Sequence, residues 1–90
     1  MPGIQPASTA DRTRSLARKV ASHHAIKPDF KTSDALVDIG LSSLDLVNLM
    51  IAVEAEFDIM IPPALLSPKN FYSIDTIARM VETVRSGQAA

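Results

Sequence analysis

The chain has 90 residues, of which 47% are hydrophobic and 21% are charged. That length allows one small domain, and the absence of cysteine excludes disulfide scaffolds, thiolate zinc sites and cysteine nucleophiles. Although the net charge is only −1, residues 34–68 hold six acidic side chains and no lysine or arginine, a pattern that repels phosphate backbones and argues against nucleic-acid binding.

The first predicted helix begins at Ser8, because a hydroxyl residue followed by Asp11 is typical of a capped helix N-terminus. It should fade near His24, ahead of a proline. Its narrow apolar stripe consists of Leu16, Ala17, Val20 and Ala21. Residues 25–42 are predicted to be a long loop, because their apolar side chains are spaced too irregularly for one helix. These side chains should anchor the loop to the core, and loops of this length are usually functional.

The segment from Leu44 to Phe57 is the strongest predicted helix and carries two apolar stripes. The first stripe consists of Leu46, Leu49, Met50, Val53 and Phe57, and the second of Leu44, Val47 and Ile51. A small helical domain has room to bury one such stripe fully, so the second stripe is a candidate contact surface. Ordinary core packing is the alternative explanation of the second stripe. Asp45 and Glu54 border it in the sequence and should present charge beside it.

The remaining elements complete a small helical bundle without strands. A short helical turn is predicted between Leu65 and Tyr72, with Pro68 at its first position. Ser73 then caps a last helix that Gly87 should end. We therefore expect a single domain over residues 8–86, with residues 1–7 and 87–90 as flexible tails.

Neither metal nor acid–base chemistry is expected from the titratable residues. His23 and His24 are adjacent, so on a helix they would point about 100° apart and could not share a ligand. Glu54 and Glu56 likewise face different sides of their helix. The sequence around Ser43 lacks the second glycine and the preceding strand of a hydrolase nucleophile elbow, which argues against an enzyme of that kind.

Ser42 and Ser43 lie where the long loop meets the strongest helix, and two roles are open to them. One of them should be the N-cap of that helix. A phosphate ester on a serine there would also be stabilised by the free N–H groups and the helix dipole. The pattern alone does not choose between the two roles.

The region around these serines resembles the acyl carrier protein family. Residues 38–44, Asp-Ile-Gly-Leu-Ser-Ser-Leu, followed by Glu54, Glu56-Phe57 and Ile61-Pro62, are similar to the family pattern D-x-G-x-D-S-L, E-x-x-F and I-P, and the resemblance spans residues 9–86. It implies an all-α fold, a small four-helix bundle with a long loop between helices 1 and 2 and a short third helix. It also implies a non-enzymatic carrier whose Ser43 bears covalent 4′-phosphopantetheine from coenzyme A, with acyl groups held on the arm as thioesters.

The implied partners are a phosphopantetheinyl transferase, a loading ligase, and downstream transferases or synthases of fatty-acid or secondary-metabolite biosynthesis. These partners would recognise Leu44, Asp45, Val47, Ile51 and Glu54. With no apolar stretch long enough to cross a bilayer and no secretory segment, a cytoplasmic monomer without membrane contact is expected.

The chain also departs from the pattern of fatty-acid carriers. Ser42 stands where the family usually has aspartate, and Asn48 and Ala55 stand where acids are usual. The sequence is closer to stand-alone carriers, some of which receive small amino acids from ligases that resemble class II aminoacyl-tRNA synthetases. An aminoacyl carrier is therefore the alternative to an acyl carrier. A helical interaction module that never receives a prosthetic group is the alternative from another class.

Overall fold

The computed structural model describes residues 8–88, which form four α-helices and one 3₁₀ helix, with no strand among those residues. The α-helices are α1 (Thr9–Val20), α2 (Leu36–Ile39), α3 (Ser43–Phe57) and α4 (Ile74–Gln88), and the 3₁₀ helix is Pro63–Leu65. The all-α fold class is thus confirmed. Of the predicted tails, residues 1–7, 89 and 90 lie outside the described residues.

Helix α1 begins as predicted and ends earlier than predicted. The Asp11 backbone N–H donates to Ser8 Oγ at 3.0 Å, which caps the helix. The helix ends at Val20, and residues 21–24 form a turn. The expectation that the helix fades only near His24 is wrong. The chain turns at Ala21, which is still buried, and both histidines then lie against Asp45 of α3.

The predicted loop over residues 25–42 contains one helical turn, α2. Leu36 and Ile39 are buried on the same side of this turn. Gly40 closes it in the left-handed conformation, at φ +117°, where a side chain would be strained. The anchoring role of the loop is as predicted, because its Phe30 and Leu41 are also buried.

The core lies between α3, α4 and α1, and α1 packs against both of the longer helices. Leu49 and Val53 of α3 and Ile77 and Val81 of α4 belong to this core, and all four are fully buried. Phe57 is also buried, and the Arg12 guanidinium lies 4.4 Å from the centre of its ring. Of the stripe assigned to the core by its helical spacing, the fold buries Leu49, Val53 and Phe57, whereas Leu46 and Met50 are only partly buried.

The connection between α3 and α4 contains one element that was not predicted, the 3₁₀ helix Pro63–Leu65, which begins with a proline where a missing N–H is harmless. The predicted turn follows it: the Phe71 N–H donates to the Ser67 carbonyl at 3.2 Å, and Pro68 is the first residue of this turn, as predicted. Ser73 caps α4 as predicted, because its Oγ accepts the Thr76 N–H at 3.2 Å. Helix α4 continues through Gly87 to Gln88, so Gly87 does not end it.

Candidate functional site

The start of α3 is held by a reciprocal pair of hydrogen bonds. Ser42 is the N-cap, and its Oγ accepts the Asp45 N–H at 3.1 Å. The Asp45 carboxylate in turn accepts the Ser42 N–H at 2.9 Å. This capping box fixes the first turn and leaves Ser43 as the first helical residue.

The two neighbouring serines therefore have different roles. The Ser42 hydroxyl is used by the cap, whereas Ser43 is exposed and its hydroxyl makes no hydrogen bond to any group within residues 8–88. Ser43 also lies where the helix presents unpaired backbone N–H groups and the positive end of its dipole. The arrangement can accept an anionic ester on Ser43 without dismantling the cap.

An apolar groove with a volume of about 380 Å³ begins at Ser43. Its walls come from α2, α3 and the segment between the 3₁₀ helix and α4. The lining residues besides Ser43 are Val37, Leu46, Val47, Met50, Leu66, Ser67, Pro68, Phe71 and Tyr72. The Leu36 N–H donates to the Tyr72 carbonyl at 2.8 Å and joins two of these walls. The wall from Leu66 to Tyr72 was not predicted from the sequence as part of this groove, because no periodic pattern links that segment to α3.

The second apolar stripe of α3 is exposed, as the candidate contact surface requires. Leu44, Val47 and Ile51 keep 67%, 48% and 60% of their surface accessible. Val37 of α2 and Tyr72 are exposed near the same groove. An apolar surface of this kind beside Ser43 is suited to binding a partner.

Asp45 does not border this surface as a solvated charge, and that expectation is wrong. Its side chain is fully buried. Asp45 Oδ2 lies 2.7 Å from His24 Nε2, and Oδ1 lies 3.4 Å from His23 Nε2. The expectation that the histidines cannot converge is also wrong, because it assumed helical geometry and they lie in the turn after α1.

These contacts shift the ionisation of both partners. The hydrogen bond to Asp45 raises the pKa of His24 above its ordinary value of 6.5, and the Ala25 carbonyl adds to the effect. The Ser42 N–H is the largest cause that lowers the pKa of Asp45 below 3.8, followed by the hydrogen bond from His24. The contact therefore favours the imidazolium form of His24 and the carboxylate form of Asp45.

The acidic segment is much less free than its sequence suggests. Glu54 is half-buried and accepts the Ile61 N–H at 2.9 Å, so it supports the loop after α3. Glu56 pairs with Arg12 at 2.9 Å, and Asp34 lies 3.7 Å from Lys27. With Asp45 buried as well, most of the acids are engaged within the molecule.

None of the helices in the described part of the chain is long and apolar enough to cross a membrane.

Comparisons with known proteins agree on the family to which the chain is similar. The profile of a family described as "Phosphopantetheine attachment site" matches residues 15–84. Aminoacyl carrier protein 1 of Bradyrhizobium diazoefficiens is 44% identical over 73 residues, which cover 81% of each chain.

Two crystal structures of Bradyrhizobium japonicum glycine:[carrier protein] ligase contain chains of similar fold. In the complex with glycylated carrier protein the TM-score is 0.72 at 39% identity, over 80% of this chain and 96% of that one. In the complex with cognate carrier protein and an analogue of glycyl adenylate, the TM-score is 0.75 at 40% identity, over 83% and 96%.

Proposed function

The chain belongs to the family of carrier proteins with a phosphopantetheine attachment site, and from this premise we propose that Ser43 bears the arm and that the cargo is a small amino acid. The observation that carries the assignment to Ser43 is its free, exposed hydroxyl at the start of α3. The adjacent Ser42 hydroxyl is committed to the capping box.

The residues around Ser43 fit a phosphodiester-linked arm. The N–H groups in the first turn of α3 lie where they favour negative charge on the Ser43 oxygen. The groove that begins at Ser43 is lined by Leu46, Val47 and Met50 on one side, and this wall can shield an extended chain from water. When bound, the arm supplies a thiol that holds cargo as a thioester, which this cysteine-free chain does not provide itself.

An aminoacyl cargo is favoured over a fatty acyl cargo by two features. The curated relative above is an aminoacyl carrier protein, and the solved neighbours occur with a glycine:[carrier protein] ligase. The chain also has Asn48 and Ala55 on α3, where fatty-acid carriers are expected to be acidic. We therefore infer that a ligase of the glycine:[carrier protein] ligase kind loads the chain with glycine or a similarly small amino acid.

In this proposal the chain carries the cargo and is modified by other enzymes, and it does not catalyse these reactions itself. Within residues 8–88, no imidazole or carboxylate hydrogen-bonds to the Ser43 hydroxyl, so Ser43 lacks a general base of its own. A phosphopantetheinyl transferase must activate Ser43. The exposed stripe of Leu44, Val47 and Ile51 is the surface that we assign to the transferase, the ligase and the downstream enzymes.

Two variants test the attachment site. The wild-type, Ser43→Ala and Ser42→Ala chains are incubated with coenzyme A and a broad-specificity transferase, and intact masses are measured. Wild type and Ser42→Ala should gain one phosphopantetheine, whereas Ser43→Ala should gain none. Loss of the Ser42 cap costs about 1 kcal/mol, so Ser42→Ala should remain folded. An adduct on Ser43→Ala would overturn the assignment.

The cargo is tested separately on the modified wild-type chain. It is incubated with ATP, the Bradyrhizobium ligase and single amino acids, and the thioester is read from the intact mass. Glycine or another small amino acid should be loaded. Loading by a fatty-acyl ligase alone, with every amino acid refused, would overturn the aminoacyl assignment and leave Ser43 unaffected.

A further inference from the structure

Three potential metal ligands from two distant parts of the sequence meet beside the first turn of α3. They are His23 and His24, from the turn after α1, and Asp45 of α3. One donor atom from each lies within 4.8 Å of the other two. Neither the family match nor the relatives' names account for this cluster, because the attachment of an arm requires only Ser43.

The Asp45 carboxylate has one oxygen without a hydrogen bond. Oδ2 accepts from Ser42 N–H and contacts His24, whereas Oδ1 is buried and has no hydrogen-bond partner. The imidazole Nε2 of His23 lies 3.4 Å from Oδ1. A buried carboxylate oxygen is costly to leave unpaired, so the site favours a cation next to Oδ1.

The orientation of His24 points to the same conclusion. Its Nδ1 lies 3.2 Å from the Ala25 carbonyl, an acceptor, so Nδ1 carries a proton. A neutral His24 would then turn the lone pair of Nε2 toward a carboxylate. At 2.7 Å from Asp45 Oδ2, Nε2 must carry a second proton when no ion is bound, and a metal ion would replace that proton. An Nδ1–H donated to a backbone carbonyl is also the usual outer support of a histidine that binds metal through Nε2.

We propose that His23, His24 and Asp45 form a binding site for one divalent transition-metal ion of the Zn²⁺ type. Two imidazole nitrogens and one carboxylate oxygen suit Zn²⁺ or Co²⁺ and do not suit Mg²⁺ or Ca²⁺, which take mainly oxygen ligands. Ligands about 2.0–2.1 Å from a tetrahedral ion lie about 3.3 Å apart, close to the 3.4 Å between His23 Nε2 and Asp45 Oδ1. His24 Nε2 lies 2.7 Å from Asp45 Oδ2 and must move away from this oxygen when the ion binds. Because His23 is largely exposed, water can reach the ion and fill the fourth position.

The site would join the turn after α1 to the capping box of α3. Asp45 holds the Ser42 N–H, so an ion on Asp45 would stiffen the turn that presents Ser43. This inference does not depend on the proposed arm or cargo, since its three ligands are side chains of the chain itself.

The test is Zn²⁺ titration of the full chain, after removal of any histidine tag and with Ser43 unmodified as verified by intact mass. An unmodified Ser43 matters because the thiol of an arm would bind Zn²⁺ itself. Calorimetry at pH 8 should show one equivalent of Zn²⁺, and Co²⁺ should give a visible absorption band of a low-symmetry site. Zn²⁺ should also raise the melting temperature, because it binds the folded form.

Three variants and a control decide the ligand set. His23→Ala, His24→Ala and Asp45→Asn should each weaken Zn²⁺ binding by about tenfold or more. His23 is exposed and outside the core, so its variant remains informative if the others unfold. Asp38→Asn removes an exposed carboxylate of α2, outside the cluster, and should bind like wild type. Absence of a one-equivalent transition, wild-type affinity of His23→Ala, or an equal loss in Asp38→Asn would overturn the proposal.

Discussion

Truncation of Ile51 tests the surface by which partners are proposed to read this carrier. Ile51 is 60% exposed on α3, so Ile51→Ala removes three carbons that a docked ligase would bury. At about 0.8 kcal/mol per buried CH₂, the exposed fraction corresponds to about 1.4 kcal/mol, or roughly a tenfold loss in affinity. The effect should appear as a higher KM for the carrier, with kcat nearly unchanged, because the contact is made before and during the reaction alike.

The assay measures glycine loading by the ligase at several concentrations of phosphopantetheine-bearing wild type and variants. Met60→Ala is the matched control, because Met60 is 76% exposed and lies at a different depression, beside α4. Circular dichroism verifies that both variants fold. A KM for Ile51→Ala within twofold of wild type, or an equal rise for Met60→Ala, would refute the assignment of the exposed stripe.

Three further predictions concern stability. Phe57→Ala should lower the free energy of unfolding by about 3–5 kcal/mol in urea titrations, because Phe57 is buried; Leu44→Ala, on the exposed face, should change it little, and equal losses would contradict the burial pattern. In EDTA, the stability difference between wild type and His24→Gln should be largest between pH 3.8 and 6.5. It should decline as pH rises through the raised pKa of His24, or falls through the lowered pKa of Asp45; a difference independent of pH would contradict the ion pair. Asp45→Lys should melt far below Asp45→Asn, because it buries a positive charge against two histidines and breaks the capping box; equal melting temperatures would contradict that burial.

The long helices and their core could be predicted from the sequence because helical spacing decides which face is buried. The stripe ending at Phe57 was assigned to the core, and the structure buries its Leu49, Val53 and Phe57 and partly buries its Leu46 and Met50. Helix α2 could not be predicted in the same way. It has only 4 residues, too few to display a period, and it depends on the hydrogen bond between Leu36 and Tyr72.

The cluster of His23, His24 and Asp45 could not be predicted from the sequence, because its geometry depends on where α1 ends. On a continuous helix His23 and His24 would diverge, whereas in a turn both reach Asp45. A helix end is set by a few weak contacts, so its position is poorly determined by local pattern. A serine cap at the start of α3 was predicted from the sequence, but neither the capping role of Asp45 nor its distant partners were.

Contacts between residues that are distant in the sequence also decide how much of the acidic charge is free. They therefore change how we expect partner proteins to be recognised. The block of six acids in residues 34–68 would also attract basic partners, yet the fold gives four of them partners within the molecule. Asp34, Asp45 and Glu56 lie against basic side chains, and Glu54 accepts a backbone N–H. Charges paired with a basic group at contact distance contribute little at the range over which steering operates. Recognition should therefore depend mainly on the apolar stripe, and the rate of glycine loading should fall by less than about threefold between 50 and 300 mM salt. A fall of tenfold or more, with the ligase itself insensitive to salt, would restore the acidic segment as the main determinant of association.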